Sequence, residues 1–365
     1  MQVIGADATA EPSLYDLSVD PRFADFADQV LSQSYAKLGR EDLAATTVSE
    51  YRPSACEADP SGIAGEEALL EEIARRAAQT RVVIINESHY VSRHRGFIAR
   101  LAARLRPLGY THFAAEAFAN TDEGPAPIEM TDLPPWPSEH ISNGGYVSEP
   151  AFGRLVRAVR ALGYEFVAYE HSNPDFDAPR NEQVAAREAA QAENLRAALV
   201  NAGPDTRMLV HVGYSHAAEV PMPRGDGGTD LWMAARLGEL ADVDPLTISQ
   251  HQCRTVEGPS RLASGAPQTP QGAFDMIIAH PVTRFAGKRP LWRQEAGDVR
   301  ILVPPELVPE EGAYIVEARL AGEPDEAIPL DRVLVFAGEE VDLLLPPGRY
   351  RLRAVVALVD APDGE

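Results

Sequence analysis

Apolar runs that end in an acid or a histidine recur along much of the chain. They predict β-strands over 81–86, 111–115, 164–169, 207–212 and 275–279, from the runs RVVIINESH, THFAAE, YEFVAYEH, RMLVHVGYSH and DMIIAH. Stretches with helical spacing separate them, at about 65–79, 92–106, 151–162 and 180–202. Apolar strands that alternate with helices are typical of a parallel sheet buried on both faces. The pattern predicts an α/β fold, with a mainly parallel sheet flanked by helices.

The hydrophobic pattern changes after about residue 285. Short β-like segments follow, separated by Gly and Pro turns, at 298–303, 313–320, 332–337, 341–345 and 349–358. They predict a small all-β sandwich. We therefore divide the chain into an irregular or partly helical lead-in over 1–60 that packs on the core, an α/β domain over 61–285 and a β-sandwich-like domain over 286–365. The last part has no His and no Cys, so we expect it to serve packing, oligomerisation or partner contact.

Residues 120–150 form a long connection inside the α/β domain. The stretch is rich in proline and contains the flexible pair Gly144-Gly145. Loops of this length are usually lids or binding loops, or they are disordered. We favour a lid.

The predicted strand ends carry the candidate chemistry. In parallel sheets, ligands bind at the carboxyl ends of the strands. Acids and imidazoles gathered there transfer protons or hold metals. The candidates are Glu87, His89, Glu116, Glu170, His171, His211, His216 and His280. We predict catalytic roles for His89, Glu87, Glu116, His211 and His216.

Two local patterns refine that set. Glu116 ends a strand buried on both faces, so it needs an arginine, a histidine or a cation as partner; Arg93 and Arg95 are the candidates for a purely structural ion pair. Glu170 and His171 are adjacent, so only one of them is expected to face the cleft.

The helix at 180–202 is predicted to approach the same edge of the sheet. Arg187, Gln191 and Asn194 lie on one stripe of this helix, beside its apolar face. An arginine there can bind a substrate carboxylate or stabilise an oxyanion; a solvated helix flank is the alternative. We predict substrate contacts from Arg187, Asn194, Tyr214 and His171.

Charge and composition restrict the partners. Lys and Arg total 33 and Asp and Glu total 55, which gives a net charge of −22. This excess argues against nucleic acid and anionic membrane surfaces, and suits a neutral or cationic partner, although solubility alone also explains it. No run of 18 or more apolar residues occurs, so no membrane span is expected.

The two cysteines and the N-terminus bear on the compartment. Cys56 and Cys253 lack CxxC spacing; they are either two unrelated thiols, the reading we favour, or a single bridge. The N-terminus is not an intact signal peptide, but GADATAE resembles the region around a cleavage site. We predict a periplasmic or secreted protein, with a cytoplasmic one as the alternative.

Several motifs are absent, and others resemble a known group. There is no GxSxG, GxxxxGK[ST], HExxH or GxGxxG. The stretch IINESHYVSRHRGFIARLAARLRPLGYTHFAAEAF resembles the opening of the erythromycin esterase-like, ChaN-like and TIKI/TraB group. Asn86 stands where that group has glycine, and the Glu-to-His spacing is of the ChaN type. REAAQAEN at 187–194 is similar to the RDxxMAxN helix of erythromycin esterases, and HVGYSH at 211–216 resembles their late histidine segment and the TIKI/TraB GxxH.

The resemblance covers roughly residues 80–280 and implies three kinds of function. Erythromycin esterase relatives are hydrolases that activate water with histidine and glutamate, TIKI proteins are metal-dependent proteases, and ChaN proteins bind haem. We expect a hydrolase of ester or peptide bonds acting on a small-molecule or peptide substrate. A divalent transition metal on Glu87, His89, Glu116 and His216 would assist it. The alternative is a non-catalytic haem- or metal-binding protein with Tyr214 or a histidine as ligand. A degenerate scaffold, and a homo-oligomer formed through the C-terminal part, also stay open.

Overall fold

The computed structural model describes residues 2–16, 27–54, 56–118, 120, 127–128, 134–138, 145–267 and 269–358. Within these ranges the α-helices are α1 Ala27–Lys37, α2 Glu41–Thr47, α3 Glu66–Ala77, α4 Ser92–Leu105, α5 Pro150–Ala161, α6 Arg180–Ala202, α7 Met233–Ala241 and α8 Leu291–Glu295. Short 3₁₀ turns occur at Ser49–Tyr51, Arg106–Leu108, Gly145–Ser148, Tyr214–Ala217 and Pro305–Leu307.

The strands of the described residues are numbered in chain order. The first half comprises β1 Gln2–Asp16, β2 Glu57–Ala58, β3 Val82–Glu87, β4 Tyr110–Ala115, β5 Pro127–Ile128, β6 Glu165–Ala168, β7 Arg207–Gly213, β8 Met222–Pro223, β9 Thr229–Asp230 and β10 Leu246–Ser249. The second half comprises β11 Arg254–Thr255, β12 Arg261–Gly265, β13 Met276–Pro281, β14 Phe285–Ala286, β15 Arg289–Pro290, β16 Val299–Leu302, β17 Ala313–Leu320, β18 Asp331–Phe336, β19 Asp342–Leu345 and β20 Arg349–Leu358.

The largest sheet has the order β2-β12-β13-β10-β3-β7-β4-β6-β5, and β11 pairs with β13 off this path. The strands from β13 to β6 pair parallel. β12 and β5 flank these parallel strands with antiparallel pairings, and β2 pairs antiparallel with β12 at the edge. The chain therefore belongs to the mixed α/β class, as the sequence predicts.

Helices cover both faces of this sheet. Along β3, Val83 and Ile85 pack with α3, α4 and α5, whereas Val82 and Ile84 pack with α6 and α7. The side chains of successive strand residues point to opposite faces, so a strand with apolar residues at every position is stable only when both faces are covered. The core thus holds the carboxyl ends of β3, β7, β4 and β6 side by side, which positions the site.

The C-terminal strands form separate sheets. One has the order β1-β20-β17-β18, and β16 pairs with β19 in another. β1 comes from the segment that the sequence predicts to be an irregular or helical lead-in, and it runs parallel to β20. Its Ala, Asp and Pro content has low β-propensity, so pairing with the edge of β20, rather than its own pattern, makes it a strand.

α1 and α2 connect the lead-in to the rest of the protein. Ala36 and Ala44 pack with Tyr90 and Val91 beside the site. Leu38 packs with the inner residues of β17 and β18. The lead-in therefore contacts the α/β sheet and the C-terminal sheet at once.

Three features differ from the sequence expectations or lie outside them. β10 lies outside the strands that the sequence predicts, although it occupies a central place between β13 and β3. Cys56 and Cys253 form a disulfide with a Cα–Cα distance of 5.7 Å, so the favoured interpretation of two unrelated thiols was wrong. Most of the predicted lid, including 121–126, 129–133 and 139–144, lies outside the described residues. In the described part of the chain, no helix is both long enough and apolar enough to span a membrane.

Candidate active site

Adjacent strand ends bring the first acids of the site together. β3 ends at Glu87, Glu116 follows directly after β4, and β7 lies between these two strands. The backbone N–H of Glu116 donates to the carbonyl oxygen of His211 on β7 at 3.1 Å. The carboxyl ends of parallel strands share one edge of the sheet, so both carboxylates reach the same region.

Glu87 is fully buried in what we call the inner cluster, formed by Glu87, Arg95, Glu149 and His211. Arg95 of α4 donates to the two oxygens of Glu87 at 2.9 and 2.6 Å, and to Glu149 at 2.6 Å. Nε2 of His211 lies 2.8 Å from Glu87 Oε2. Burial raises the pKa of Glu87, but Arg95 and His211 outweigh it and hold that pKa well below its usual range. Glu87 is therefore an ionised carboxylate shielded from water.

His89 connects the inner cluster to an open cavity. Its Nδ1 lies 3.0 Å from Glu87 Oε1. Because Glu87 is ionised, we assign the proton of a neutral His89 to Nδ1, which leaves Nε2 as an acceptor. A Cβ built on Gly213 would come within 2.6 Å of Nε2. Glycine at 213 is therefore required for the imidazole to lie where it does.

A second group of charges, the outer cluster, is formed by Glu116, Glu170, Arg187, Glu188 and His216. Arg187 of α6 donates to Glu116 at 2.5 Å and to Glu170 at 3.0 Å. The backbone N–H of Gly213 donates to the other oxygen of Glu116 at 2.6 Å. Burial raises the pKa of Glu116, but His216 and Arg187 outweigh it and lower that pKa. Both networks thus keep their central acid ionised.

His216 lies between two acids. Its Nδ1 is 2.8 Å from Glu188 Oε2, and its Nε2 is 3.4 Å from Glu116 Oε1. Burial lowers the pKa of His216, but Glu188 and Glu116 overcome this and raise it, against the opposing charge of Arg187. Glu188 also accepts the backbone N–H of Met233 at the start of α7, at 2.9 Å. A helix terminus therefore fixes the acid that orients His216.

The polar stripe on α6 reaches the end of β6, as the spacing predicts. Gln191 donates to both oxygens of Glu170, at 3.1 and 3.0 Å. Asn194 donates to the backbone carbonyls of Tyr169 and Glu170, at 3.0 and 3.2 Å. These contacts hold the strand end, and they give no support to the predicted substrate contact from Asn194.

A cavity of about 730 Å³ opens over the outer cluster. Its polar wall includes His89, Glu116, Glu170, His171, Arg187 and His216. Its apolar wall includes Pro174, Phe176, Val184, Tyr214 and Trp232, and the Phe176 side chain is 79% exposed. Charged groups on one side and aromatic rings on the other are typical of a small-molecule or peptide binding site.

The predicted residues occupy three positions relative to this cavity. His89, Glu116, His171, Arg187, Tyr214 and His216 line it. Glu87 and His211 lie behind it, without exposed surface. His280 is elsewhere, buried between Ser260 and Gln250. Glu170 and His171 both line the cavity, against the expectation that only one would; β6 ends at Ala168, so strand alternation no longer applies to them.

Three residues of the two clusters were missed: Arg95, Glu149 and Glu188 were given no role in the site. Arg95 was considered only as a partner of Glu116, whereas it binds Glu87, and Glu116 binds Arg187. The available signal was its place in the first turn of the helix after β3, since that turn lies back over the strand end. Glu149 had no such signal, because it lies at the end of the long connection, directly before α5.

Asn86, which replaces the glycine of the resembling group, holds the turn beside the cavity. Its Nδ2 donates to the carbonyl oxygen of Tyr214 at 2.5 Å, and its Oδ1 accepts the backbone N–H of Gln250 at 2.8 Å. Tyr214 has a φ of 37°, which is unusual for a residue with a side chain. The Tyr214 ring meets the His89 ring edge-on, with centroids 4.9 Å apart. Asn86 therefore stabilises a strained turn that packs against His89.

The described residues contain no group of three or more His, Cys, Asp or Glu side chains placed to hold a metal ion. The four predicted ligands are Glu87, His89, Glu116 and His216. Both of these carboxylates already accept hydrogen bonds from arginine, and Glu116 also accepts one from a backbone N–H. This arrangement does not fit a metal centre, so we derive no step through one.

Comparisons with known proteins give weak likenesses. No family model matches the chain, and no curated protein matches it. Among solved structures, the type III effector HopBA1 is 16% identical with a TM-score of 0.39, over 63% of this chain and 99% of that one. RRSP, a MARTX toxin effector domain from Vibrio vulnificus, is 14% identical with a TM-score of 0.33, over 63% of this chain and 46% of that one. A structure described as bacterial protein toxins is 15% identical with a TM-score of 0.34, over 63% and 48%.

Proposed function

We propose that the protein is a hydrolase of ester or peptide bonds in which His89 activates water. The observation that carries this proposal is the pair formed by Glu87 and His89. A buried, ionised carboxylate lies 3.0 Å from Nδ1, and the opposite side of the ring lines the cavity. This is the arrangement by which a carboxylate orients an imidazole that accepts a proton.

The proposed reaction uses water, His89 in the cavity wall and the buried Glu87 behind it. Nε2 of His89 takes a proton from water as the water oxygen adds to the substrate carbonyl carbon. The protonated imidazole then donates that proton to the leaving oxygen or nitrogen as the bond to carbon breaks. Glu87 stays ionised and stabilises the imidazolium, since Arg95 holds its pKa low.

Arg187 and His216 are the groups that would meet the developing oxyanion. Nη1 of Arg187 and Nε2 of His216 are 3.2 Å apart, and both residues line the cavity. The remaining nitrogens of Arg187 donate to Glu116 and Glu170. We assign these acids the role of positioning Arg187. Because they neutralise it, we expect Arg187 to serve an oxyanion better than a permanent substrate carboxylate.

The resemblance to the erythromycin esterase-like, ChaN-like and TIKI/TraB group supports the same proposal through Glu87, His89, Glu116 and Arg187. Of the alternatives, a metal-assisted reaction and a haem- or metal-binding protein without catalysis stay predictions. Elemental analysis of the purified protein and a haem titration followed at the Soret band test them. Finding one or two transition metals per chain would favour a metal-assisted reaction over the mechanism that we propose, in which His89 alone activates water.

The decisive experiment is a panel of aryl ester, lactone and peptide substrates with wild type and His89→Ala. General base catalysis contributes about 10²–10⁴-fold, so we expect a loss of that size in kcat/KM. His112→Gln is the matched control, because His112 lies at the opposite end of β4 and its Nε2 contacts Glu165 at 3.2 Å. Equal hydrolysis by wild type and His89→Ala would reject the proposal.

Three further proposals concern the C-terminal strands and the location of the protein. We propose that the C-terminal strands pack as a sandwich, since the core formed by Val316, Val333 and Leu352 also includes Leu343 and Leu345 of β19. Self-association is proposed through β16, where Val299 and Leu302 are 47% and 55% exposed. The disulfide supports a periplasmic or secreted location, since such bonds persist in oxidising compartments.

A further inference from the structure

A second cavity, of about 360 Å³, lies at the N-terminal end of α4, where Arg93 lines it. It shares no lining residue with the large cavity. Arg93 and Arg284 line it together with Leu291, Val282 and Trp292. It therefore combines guanidinium groups with an apolar wall, away from the proposed catalytic residues.

Arg93 is the informative residue. It is the second residue of α4 and is partly buried, yet it has no hydrogen bond or ion pair with any described residue. Arg95, two positions later, donates to two carboxylates and a carbonyl. A guanidinium presents five donors, and leaving them unpaired in a partly buried place is costly.

The surrounding charges do not satisfy Arg93. Burial lowers its pKa, Glu295 and Glu66 oppose that, and Arg100 and Arg284 add to it. The carboxylate of Glu295 instead accepts from Arg284, at 3.2 Å. A negative partner from outside the chain would therefore meet one free guanidinium and a second one close by.

The apolar wall decides what else the partner carries. The Trp292 ring lies on the backbone of α4, where a Cβ built on Gly96 would come within 2.7 Å of it. Its buried indole Nε1 has no hydrogen-bond partner among the described residues. Beside Leu291 and Val282, this ring offers a flat apolar surface to the cavity. Such a wall favours an organic acid over a bare inorganic ion.

We propose that this cavity binds a small organic carboxylate, with the carboxylate on Arg93 and Arg284 and its apolar part against Trp292. Bidentate pairing is the geometry that a guanidinium offers to a carboxylate. An aromatic or branched aliphatic acid of about ten heavy atoms fits the volume. Glu257, which also lines the cavity, would disfavour ligands with a second negative charge.

The test uses isothermal titration calorimetry of the full chain with 3-phenylpropanoate, and with 3-phenylpropan-1-ol as the uncharged match. We expect the acid to bind and the alcohol to bind at least tenfold more weakly. Arg93→Gln should weaken binding of the acid about ten- to hundredfold, as charge-assisted hydrogen bonds are lost. Inorganic phosphate should bind more weakly than the acid.

Arg284→Gln provides a second variant, because this side chain is 67% exposed and its loss does not threaten folding. It should weaken binding less than Arg93→Gln does. Equal affinity for the acid and the alcohol would overturn the proposal. Undiminished binding of the acid by both folded variants would overturn it as well, as would tighter binding of phosphate.

Discussion

The outer cluster and a second buried ionic network have similar chemistry, but only the outer cluster lines the large cavity. The second, the interface network, joins α5 and α8 to the C-terminal strands and consists of Arg154, Arg289, Arg293, Asp298 and Asp331. Asp331 accepts from Arg289 at 2.7 Å through both oxygens and from Arg293 at 2.6 Å. Burial raises the pKa of Asp331, but Arg289 and Arg293 outweigh it and lower that pKa. Its central acid is closed off from solvent, since the Asp331 side chain is 1% exposed, and we therefore also call it the sealed network.

The outer cluster uses the same kinds of ion pair in a different setting. Arg187 at its centre is 38% exposed, and its neighbours keep polar atoms without partners among the described residues, namely Nδ1 of His171 and Oε1 of Glu188. In the interface network the atom without a partner is Nε of Arg289. The sealed network holds α5 and α8 against the C-terminal strands. The outer cluster still has polar atoms that can bind a substrate. This is the difference between a structural and a catalytic use of buried charge.

The largest effect is expected from breaking the sealed network. Asp331→Ala leaves Arg289 buried without a carboxylate partner and leaves Arg293 with Asp298 alone. Uncompensated buried charge of this kind costs about 3–5 kcal/mol of unfolding free energy. Hydrolysis per folded molecule should stay near that of wild type, because Asp331 is not part of the cavity wall. Urea unfolding combined with activity at low denaturant measures both quantities.

The control for this change is Asp325→Ala. Asp325 is 54% exposed and pairs with Arg351 at 3.1 Å, so its loss should cost no more than about 1 kcal/mol. Equal destabilisation by the two variants would contradict the structural role of the sealed network. If folded Asp331→Ala lost hydrolysis, the sealed network would also be required for activity, and its role would not be purely structural.

Glu41 can be compared with Glu87 and Asp331, because it is a buried acid without a direct arginine partner among the described residues. It accepts hydrogen bonds from Ser92 and from Tyr51, the latter at 3.1 Å. Burial raises its pKa to about 7, assisted by the negative charge of Glu149. Unlike Glu87 and Asp331, it is therefore expected to lose its proton only near neutral pH.

The sign of the pH effect follows from that pKa. Above the unfolded-state value of 4.5, the unfolded chain releases the proton while the folded chain keeps it, up to about pH 7. The contribution of Glu41 to the free energy of unfolding therefore falls by about 3 kcal/mol as the pH rises through this window. Glu41→Gln should remove it, so the difference in unfolding free energy between wild type and variant changes between pH 4.5 and 7. A constant difference across that window would show that Glu41 is ionised throughout.

The sequence predicted the parts that depend on local pattern. The apolar run of β7 and the short β-like pattern of β17 were enough to identify both strands. Gln191 and Asn194 lie four and seven residues after Arg187 on α6, so helical spacing was enough to predict that this stripe approaches the strand ends. Mixed α/β architecture followed from the same periodicities.

What the sequence did not predict depends on long-range pairing. β10 has four residues, and only the neighbouring strands β13 and β3 distinguish it from a loop. β1 is a strand because β20 offers it an edge. The partners of Glu87 and Glu116 depend on which arginine reaches which acid. The difference is a few ångströms in the folded protein, and the spacing of residues along the sequence does not predict it. The Cys56–Cys253 bond spans 197 residues and has no local signature.

The smallest expected effect comes from adding one methyl group at Gly213, which affects the outer cluster and leaves the sealed network unchanged. In Gly213→Ala, the new Cβ would lie 2.6 Å from Nε2 of His89 and 3.1 Å from Oε2 of Glu116. The ring must move off its position, and overpacking of this kind costs about 1–3 kcal/mol of stability. Hydrolysis should fall at least tenfold, because a displaced general base loses its alignment with the substrate.

Gly225→Ala is the matched control, since a Cβ at Gly225 meets nothing within 4 Å. It should leave both unfolding free energy and kcat/KM within experimental error of wild type. The measurement is kcat/KM with the best substrate of the ester and peptide panel, together with urea unfolding. Because Gly213 lies outside the sealed network, full activity of folded Gly213→Ala would mean that the position of His89 over this glycine is not the one used in catalysis. The open cluster would then share the structural role of the sealed one.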